Sequence, residues 1–318
     1  MRSEQMRHVL ITGGGGFLGR KLATMLSNHP DVDKLTLFDQ QPIFDPPAKA
    51  KTIVGDLLAP GIIEQIASAD VDAVVHLAAV VSSGAEADFD LGMSVNLDGL
   101  RAMLERLRAL GTCPKVVFTS SVAAFGKTPP VVTDDTPTRP QSSYGAQKAI
   151  GEYIINDMSR KGFIDGRVMR LPTVVVRPGK PNKAASSFAS GIMREPLNGE
   201  ATICPVRPDL PLWIASPRAV TKALVHALET PTTLWEPWRT INLCGITVTV
   251  EEMVTALGRV GGDPGLIKWQ RDSHIEAIVG TWPGAFVTPR ADAMGFGRDQ
   301  SIYSILEAYK EDDMLFMK

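Results

Sequence analysis

The chain has 318 residues, 44% of them apolar and 21% charged, with a formal net charge of −2. That length suits one large domain, or a large domain with a smaller one, and the charge balance argues against nucleic-acid and anionic-membrane partners. No apolar run reaches the ~18 residues of a membrane span and no signal-peptide pattern precedes the first strand. The scattered Cys113, Cys204 and Cys244 fit neither a disulfide framework nor a metal site, so a metal-free, cytoplasmic protein is expected.

In chain order, HVLITG (His8–Gly13) reads as a buried strand and FLGRKLATMLSNHP as a helix stopped at Pro30. Strands follow at Lys34–Asp39, 50–56, 72–81, Lys115–Ser121 and Arg167–Gly179. Such nearly continuous apolar strands, separated by helical stretches, predict a parallel sheet covered on both faces. Two long helices are predicted. Residues 95–110 carry a stripe of Leu97, Leu100, Leu104 and Leu107; residues 143–161 carry Ile150, Tyr153, Ile154 and Met158. Beyond Gly179 the texture becomes rich in Pro, Asn and Lys, with one helix around Ser187–Arg194. Ser216 followed by Pro217 starts another helix, and Thr249 with Glu252 forms a capping box.

Between the first strand and the first helix, TGGGGFLG supplies Gly13, Gly16 and Gly19. In that setting the three glycines serve a tight turn, close approach to a pyrophosphate and close helix packing, with phosphates at the helix N-terminus. The fold expected is α/β, a Rossmann-type doubly wound parallel sheet with a smaller C-terminal substrate-binding region. Residues 1–179 would form the NAD-binding domain, with later contributions from about 212–245, and 180–318 mainly a substrate-binding cap.

Asp39 ends the second strand, where a carboxylate accepts from ribose hydroxyls and repels a 2′-phosphate. No basic residue follows in FDQQPIFD, so NAD is favoured over NADP. Asp56 reads either as a partner of the adenine amino group or as a turn aspartate. HLAA ends the fourth strand with small residues against which a cofactor could lie, and His76 reads as a core histidine. Phe17, Leu18, Leu57, Leu77, Ala78, Ala79 and Thr173 complete the expected cofactor contacts.

Tyr144 and Lys148, four apart in SYGAQK, would share one helix face. Ser120–Ser121 ends the fifth strand at the carboxyl edge, where such sheets bind ligands. A serine there can hold a substrate oxygen while Tyr144 takes its proton. Lys148 is expected to bind the nicotinamide ribose and, with the oxidised cofactor, to lower the phenol from ~10 towards ~7, which needs about 4 kcal/mol.

In this order, TGGGGFLG, GDL, HLAA, SVN, SSVAAFG and YGAQK resemble the extended short-chain dehydrogenase/reductase family. The resemblance implies that Ser121 is the catalytic serine, Tyr144 the general base or acid and Lys148 its partner. Asn96 matches the family's helix asparagine, or is a plain helix-start residue. A homodimer through the two long helices is also implied.

Family members acting on nucleotide sugars usually carry R-x-x-N-x-x-G-P after the sixth strand. Here Arg170 is present, but Thr173 replaces the asparagine and the Gly-Pro order is lost. The following segment offers Arg177, Asn182, Lys183 and Ser186, which suit a compact acidic substrate, with Ser82 or Ser83 assisting. The expected activity is NAD-dependent oxidation of a small sugar acid at the hydroxyl next to its carboxylate. The alternatives are a nucleotide-sugar epimerase holding NAD tightly, a uronate dehydrogenase, and a cofactor-sensing regulator without turnover.

Overall fold

The computed structural model describes residues 6–179 and 184–314. The first half runs β1 (His8–Thr12), α1 (Phe17–Ser27), β2 (Lys34–Asp39), β3 (Ala50–Val54), α2 (Ile62–Ile66), β4 (Ala73–His76), α3 (Ser82–Ala87) and α4 (Phe89–Met93). A π-helical turn, Ser94–Asp98, leads into α5 (Gly99–Leu110), followed by β5 (Lys115–Ser121), α6 (Ser143–Arg160) and β6 (Asp165–Leu171). Then come β7 (Thr173–Val174), α7 (Ser187–Leu197), β8 (Thr202–Cys204), β9 (Pro211–Ala215), α8 (Pro217–Glu229), β10 (Thr240–Asn242) and β11 (Ile246–Thr249). The chain closes with α9 (Val250–Arg259), β12 (Ile267–Trp269), α10 (Ser273–Val279), α11 (Pro289–Ala293) and α12 (Ile302–Asp312).

The main sheet has seven parallel strands in the order β10-β6-β5-β4-β1-β2-β3. From β1 the chain goes first to β2 and β3 on one side, then to β4, β5 and β6 on the other. The order therefore reverses between β1 and β4, and a crevice opens beyond their carboxyl ends. One apolar core lies under α1 and α8, and another under α2, α5 and α6. A third, running from Val175 to Tyr309, packs α7, α9 and α12 around β9 and β11.

The predicted sixth strand divides in two. Pro172 lacks an N–H, so the ladder of β6 stops at Leu171, and Thr173–Val174 pairs with β9 in a separate three-stranded sheet. The stripe read on α6 also needs correction. Tyr153 and Ile150 are exposed, at 59% and 40%, although Met158 is buried. The buried face of α6 is small and polar instead, with Gly145, Lys148, Gly151, Glu152 and Ser159 turned inward. Helix starts read from sequence are present: Ser216 accepts from Ala219 N at 3.0 Å, and Thr249 and Glu252 cap reciprocally.

Candidate active site

Two chambers meet over the reversal point and share Gly13, Gly16, Leu77 and Ala79 in their walls. One, of about 290 Å³, is bordered by Asp39, Leu57 and Ala78. The other, of about 280 Å³, lies over the ends of β5 and β6 and holds Ser121, Tyr144 and Lys148 together.

The shared floor is built by close approach. A Cβ on Gly19 would fall 2.3 Å from the Gly13 carbonyl oxygen, so only glycine lets α1 sit this near the turn. Phe17, Leu18 and Gly19 line the chamber of Tyr144. Asp39 stands at the rim of the other, its Oδ2 accepting from Gly15 N at 2.9 Å and its Oδ1 from Gln41 N at 3.1 Å. Thr12 and Asn96 pin the segment 77–80. Leu77 N donates to the Thr12 carbonyl, while Asn96 takes Val80 N at 2.8 Å and gives to Val80 O at 2.9 Å. Asn96 also donates to Gln147 at 2.7 Å, which commits its amide to protein partners. Asp56 is exposed, accepts from Leu58 N at 3.0 Å and lines neither chamber.

Ser120 and Ser121 alternate across β5, and the structure separates them. Ser120 is buried and gives its hydroxyl to Glu152 at 2.5 Å. Ser121 lines the chamber, and its oxygen accepts from Ala123 N at 3.1 Å. The first turn of α6 is laid directly on that segment, because a Cβ on Gly145 would lie 2.2 Å from Ala123 O. Tyr144, next to this glycine, is thereby indexed to Ser121.

Lys148 Nζ sits 4.6 Å from the Phe118 ring centroid and 5.6 Å from that of Tyr144. Burial pushes its ammonium down to about 8, against the attraction of Glu152 one turn on. Burial pushes the Tyr144 phenol up to about 12, and among the described residues the charge opposing that rise is Arg177. The expected lowering of the phenol by Lys148 is thus absent from the protein alone, because desolvation of the phenolate outweighs the positive charge around it. His76, stacked on Phe118 and bonded to Thr12 Oγ1 at 2.9 Å, is pushed down to about 3 by burial and by Lys148.

Arg177 reaches the same chamber from the segment after β7. Its backbone is clamped by Ser190 Oγ at 3.0 Å and by Arg194 Nη1 at 2.7 Å, and its Nη2 donates to Ser186 at 3.3 Å. Burial and Arg194 push the guanidinium down to about 10. Among the described residues no carboxylate pairs with it, and no Asp or Glu lines the chamber. Ser82 and Thr173 line the same chamber, and Ser82 accepts from Ala185 N at 2.9 Å. Ser83, the next residue of α3, faces a neighbouring groove instead. Asn182 and Lys183 lie outside the described residues. Thr119 and Trp282 also line the chamber; Trp282 lies far along the chain from the other walls, with no local pattern to single it out.

Residues 9–213 match the model of the NAD dependent epimerase/dehydratase family. The chain belongs to that family. It is 52% identical to D-erythronate dehydrogenase of Cupriavidus necator over 96% of its length and 98% of the relative's. It is 44% identical to the D-erythronate dehydrogenase of Haemophilus influenzae, over 96% of this chain and 99% of that one. A crystal structure described as a nucleoside-diphosphate-sugar epimerase from Agrobacterium tumefaciens superposes with a TM-score of 0.91. It is 38% identical and covers 98% of this chain and 95% of its own. As a family member the protein is an NAD-dependent oxidoreductase. The site suits that cofactor: a Cβ on Gly13 or Gly19 would meet backbone at 2.8 or 2.3 Å, and the second chamber carries an acidic rim with no Lys or Arg among its described walls. No helix among the described residues is long and apolar enough to cross a membrane.

Proposed function

We propose that the protein oxidises D-erythronate to 2-oxo-tetronate, at the hydroxyl next to the carboxylate. The observation that carries this reading is Arg177: a half-buried cation without a carboxylate partner among the described residues, in the chamber that holds Tyr144, Lys148 and Ser121. A guanidinium there receives a carboxylate through paired charge-assisted hydrogen bonds. The chamber's ~280 Å³ is at the small end of the range for ligand sites, ~300–1,000 Å³, which favours a compact acid. The Cupriavidus and Haemophilus relatives are both named D-erythronate dehydrogenase.

Gly13, Gly16, Phe17, Leu18 and Gly19 would hold the pyrophosphate side of NAD, and Asp39 the adenosine ribose. Leu57, Leu77, Ala78 and Ala79 would line its path, with Thr173 at the nicotinamide end. Bound NAD⁺ supplies the hydride acceptor and a further positive charge. Ser121 donates to the substrate oxygen and holds it towards Tyr144. Tyr144, as phenolate, takes the hydroxyl proton while the carbinol C–H bond breaks. Lys148 would bind the nicotinamide ribose and add the charge that Arg177 alone does not provide. Ser82 keeps a hydroxyl hydrogen for the substrate. The part from 180 to 318 would serve mainly as the substrate-binding cap.

We also take the chain to be a cytoplasmic homodimer. The free thiols of Cys113, Cys204 and Cys244 suit a reducing compartment. Exposed Ile150 and Tyr153 lie on α6, which packs against α4 with its exposed Phe89 and Leu91, and these offer apolar surface. Sedimentation of wild type against Tyr153→Arg tests the dimer, and a wild-type monomer at micromolar concentration would remove it.

A panel of four-, five- and six-carbon aldonates and uronates, each with NAD and with NADP, tests the activity. Expected is NADH accumulation, fastest with D-erythronate, and its loss in Tyr144→Phe with NAD binding retained. The Agrobacterium structure, described as a nucleoside-diphosphate-sugar epimerase, favours a second reading, an epimerase that regenerates its cofactor. That reading requires no net NADH from any acid, and isomerisation of a nucleotide sugar. Fastest turnover of a uronate would instead make the protein a uronate dehydrogenase.

A further inference from the structure

Ser186, at the N-cap of α7, and Ser190 and Arg194 within it are spaced four apart, so they form one row along a single face of the helix. Each member of the row engages Arg177. Ser186 Oγ accepts from the guanidinium at 3.3 Å, and Ser190 Oγ accepts from the backbone N–H at 3.0 Å. Arg194 Nη1 donates to the backbone carbonyl at 2.7 Å. Both backbone polar groups of Arg177 are therefore met by side chains of one helix, and its guanidinium by the residue at that helix's start.

The row sits on a rigid support. Phe188, Ala189, Ile192 and Met193 of α7 are buried in the same core as Val175 and Val176, the two residues before Arg177. Ser190 and Arg194 are buried as well. Arg194 Nη2 pairs with Glu195 Oε1 at 2.5 Å, which offsets the repulsion between two neighbouring guanidiniums. A buried arginine is costly unless its donors are met, and this one gives a donor to a single loop carbonyl. Ser186 and Arg177 line the chamber of Tyr144, whereas Ser190 and Arg194 are not among its described walls. The route from these two to a substrate in the chamber runs through Arg177.

We propose that Ser190 and Arg194 are positioning residues for acid recognition: they clamp the backbone of Arg177 and hold its guanidinium in the pose that receives the substrate carboxylate. This rests on the reading above, in which Arg177 takes that carboxylate. A free arginine side chain has about 2 kcal/mol of rotamer entropy to lose on ordering. A backbone fixed at both polar groups, with the guanidinium already on Ser186, leaves less of that loss to be met when the acid binds. The clamp thus acts on affinity for the acid, not on the chemical step.

Two variants loosen the clamp. Ser190→Ala removes the acceptor for the Arg177 N–H. Arg194→Lys keeps a charge beside Glu195 but replaces the planar fork with one ammonium, which cannot hold both partners in the same geometry. Each is assayed with D-erythronate, alone and combined with Arg177→Gln, with NADH binding as the check on folding. Expected in the single variants is a KM raised about three- to tenfold with kcat nearly unchanged, the loss of uniform binding on the scale of one hydrogen bond. Expected in the Arg177→Gln background is a further change in kcat/KM of less than about twofold, because the group being positioned is gone. An unmoved KM in either single variant that folds, or the same fold-loss with and without the Arg177 guanidinium, overturns the assignment and leaves the proposed activity standing. A wild type that oxidises no aldonate removes both.

Discussion

Glu152 grips Arg170 through both carboxylate oxygens, with Arg170 Nε at 2.9 and 3.1 Å and Nη2 at 2.7 Å, while also accepting the Ser120 hydroxyl at 2.5 Å. This joins the helix of Tyr144 and Lys148 to the ends of β5 and β6, and all three residues are buried. Removing one partner of a buried pair strands the other charge, at about 3–5 kcal/mol, whereas replacing both with apolar groups is often close to neutral. Glu152→Leu is therefore expected to lose most of that range in urea unfolding, and Glu152→Leu with Arg170→Met to recover much of it. Simple additivity of the two losses would show that the pair does not act as a unit.

Among the described residues, Arg177 is the charge that opposes the burial-driven rise of the Tyr144 phenol. Removing it raises the phenol's pKa, so less phenolate is present at any given pH. In Arg177→Gln the acid limb of the kcat–pH profile is expected to move to higher pH. KM for the acid should rise roughly 10- to 100-fold, the loss of one charge-assisted contact. A limb that stays in place or moves down would mean that the proton acceptor is not the phenol beside this guanidinium.

Asp39 combines two roles that one substitution can separate. Its Oδ2 holds Gly15 N, and its charge faces the chamber proposed for the adenosine ribose. Asp39→Asn keeps an acceptor for Gly15 while removing the charge. The NAD/NADP ratio of kcat/KM is expected to fall about tenfold or more, mainly through better use of NADP. An unchanged ratio would place cofactor choice elsewhere.

The sheet is legible in the sequence because each buried parallel strand is a short apolar run, and runs are local. The glycine turn and the four-residue step from Tyr144 to Lys148 are local as well. What depends on the other face of a strand or helix is not. Periodicity on α6 points to Ile150 and Tyr153, which are exposed, because its inward face is given over to Lys148, Glu152 and the glycines that admit close packing. Ser120 and Ser121 differ only by which side of β5 they occupy, and the carboxylate that claims Ser120 lies 32 residues further on. Asn96 and Ser83 share the same limitation. One is absorbed by the backbone of Val80, and the other faces the groove next door.

Lys148 costs the protein stability. Its pKa falls from an ordinary 10.5 to about 8 through burial, so the folded state holds this proton less tightly than the unfolded chain does. The penalty is complete below pH 8, where both states are protonated, and fades between pH 8 and 10.5 as the folded protein reaches its neutral form first. Glu152 would not be stranded by loss of the ammonium, since Arg170 still pairs with it. Lys148→Met is thus expected to raise Tm by a few °C at pH 7, on the scale of ~2–4 °C per kcal/mol for large domains. The gain should dwindle above pH 8, and turnover should be lost throughout. Thermal scans across that range decide it: a Tm that drops at pH 7, or a gain that grows with pH, would show that the buried ammonium stabilises this site.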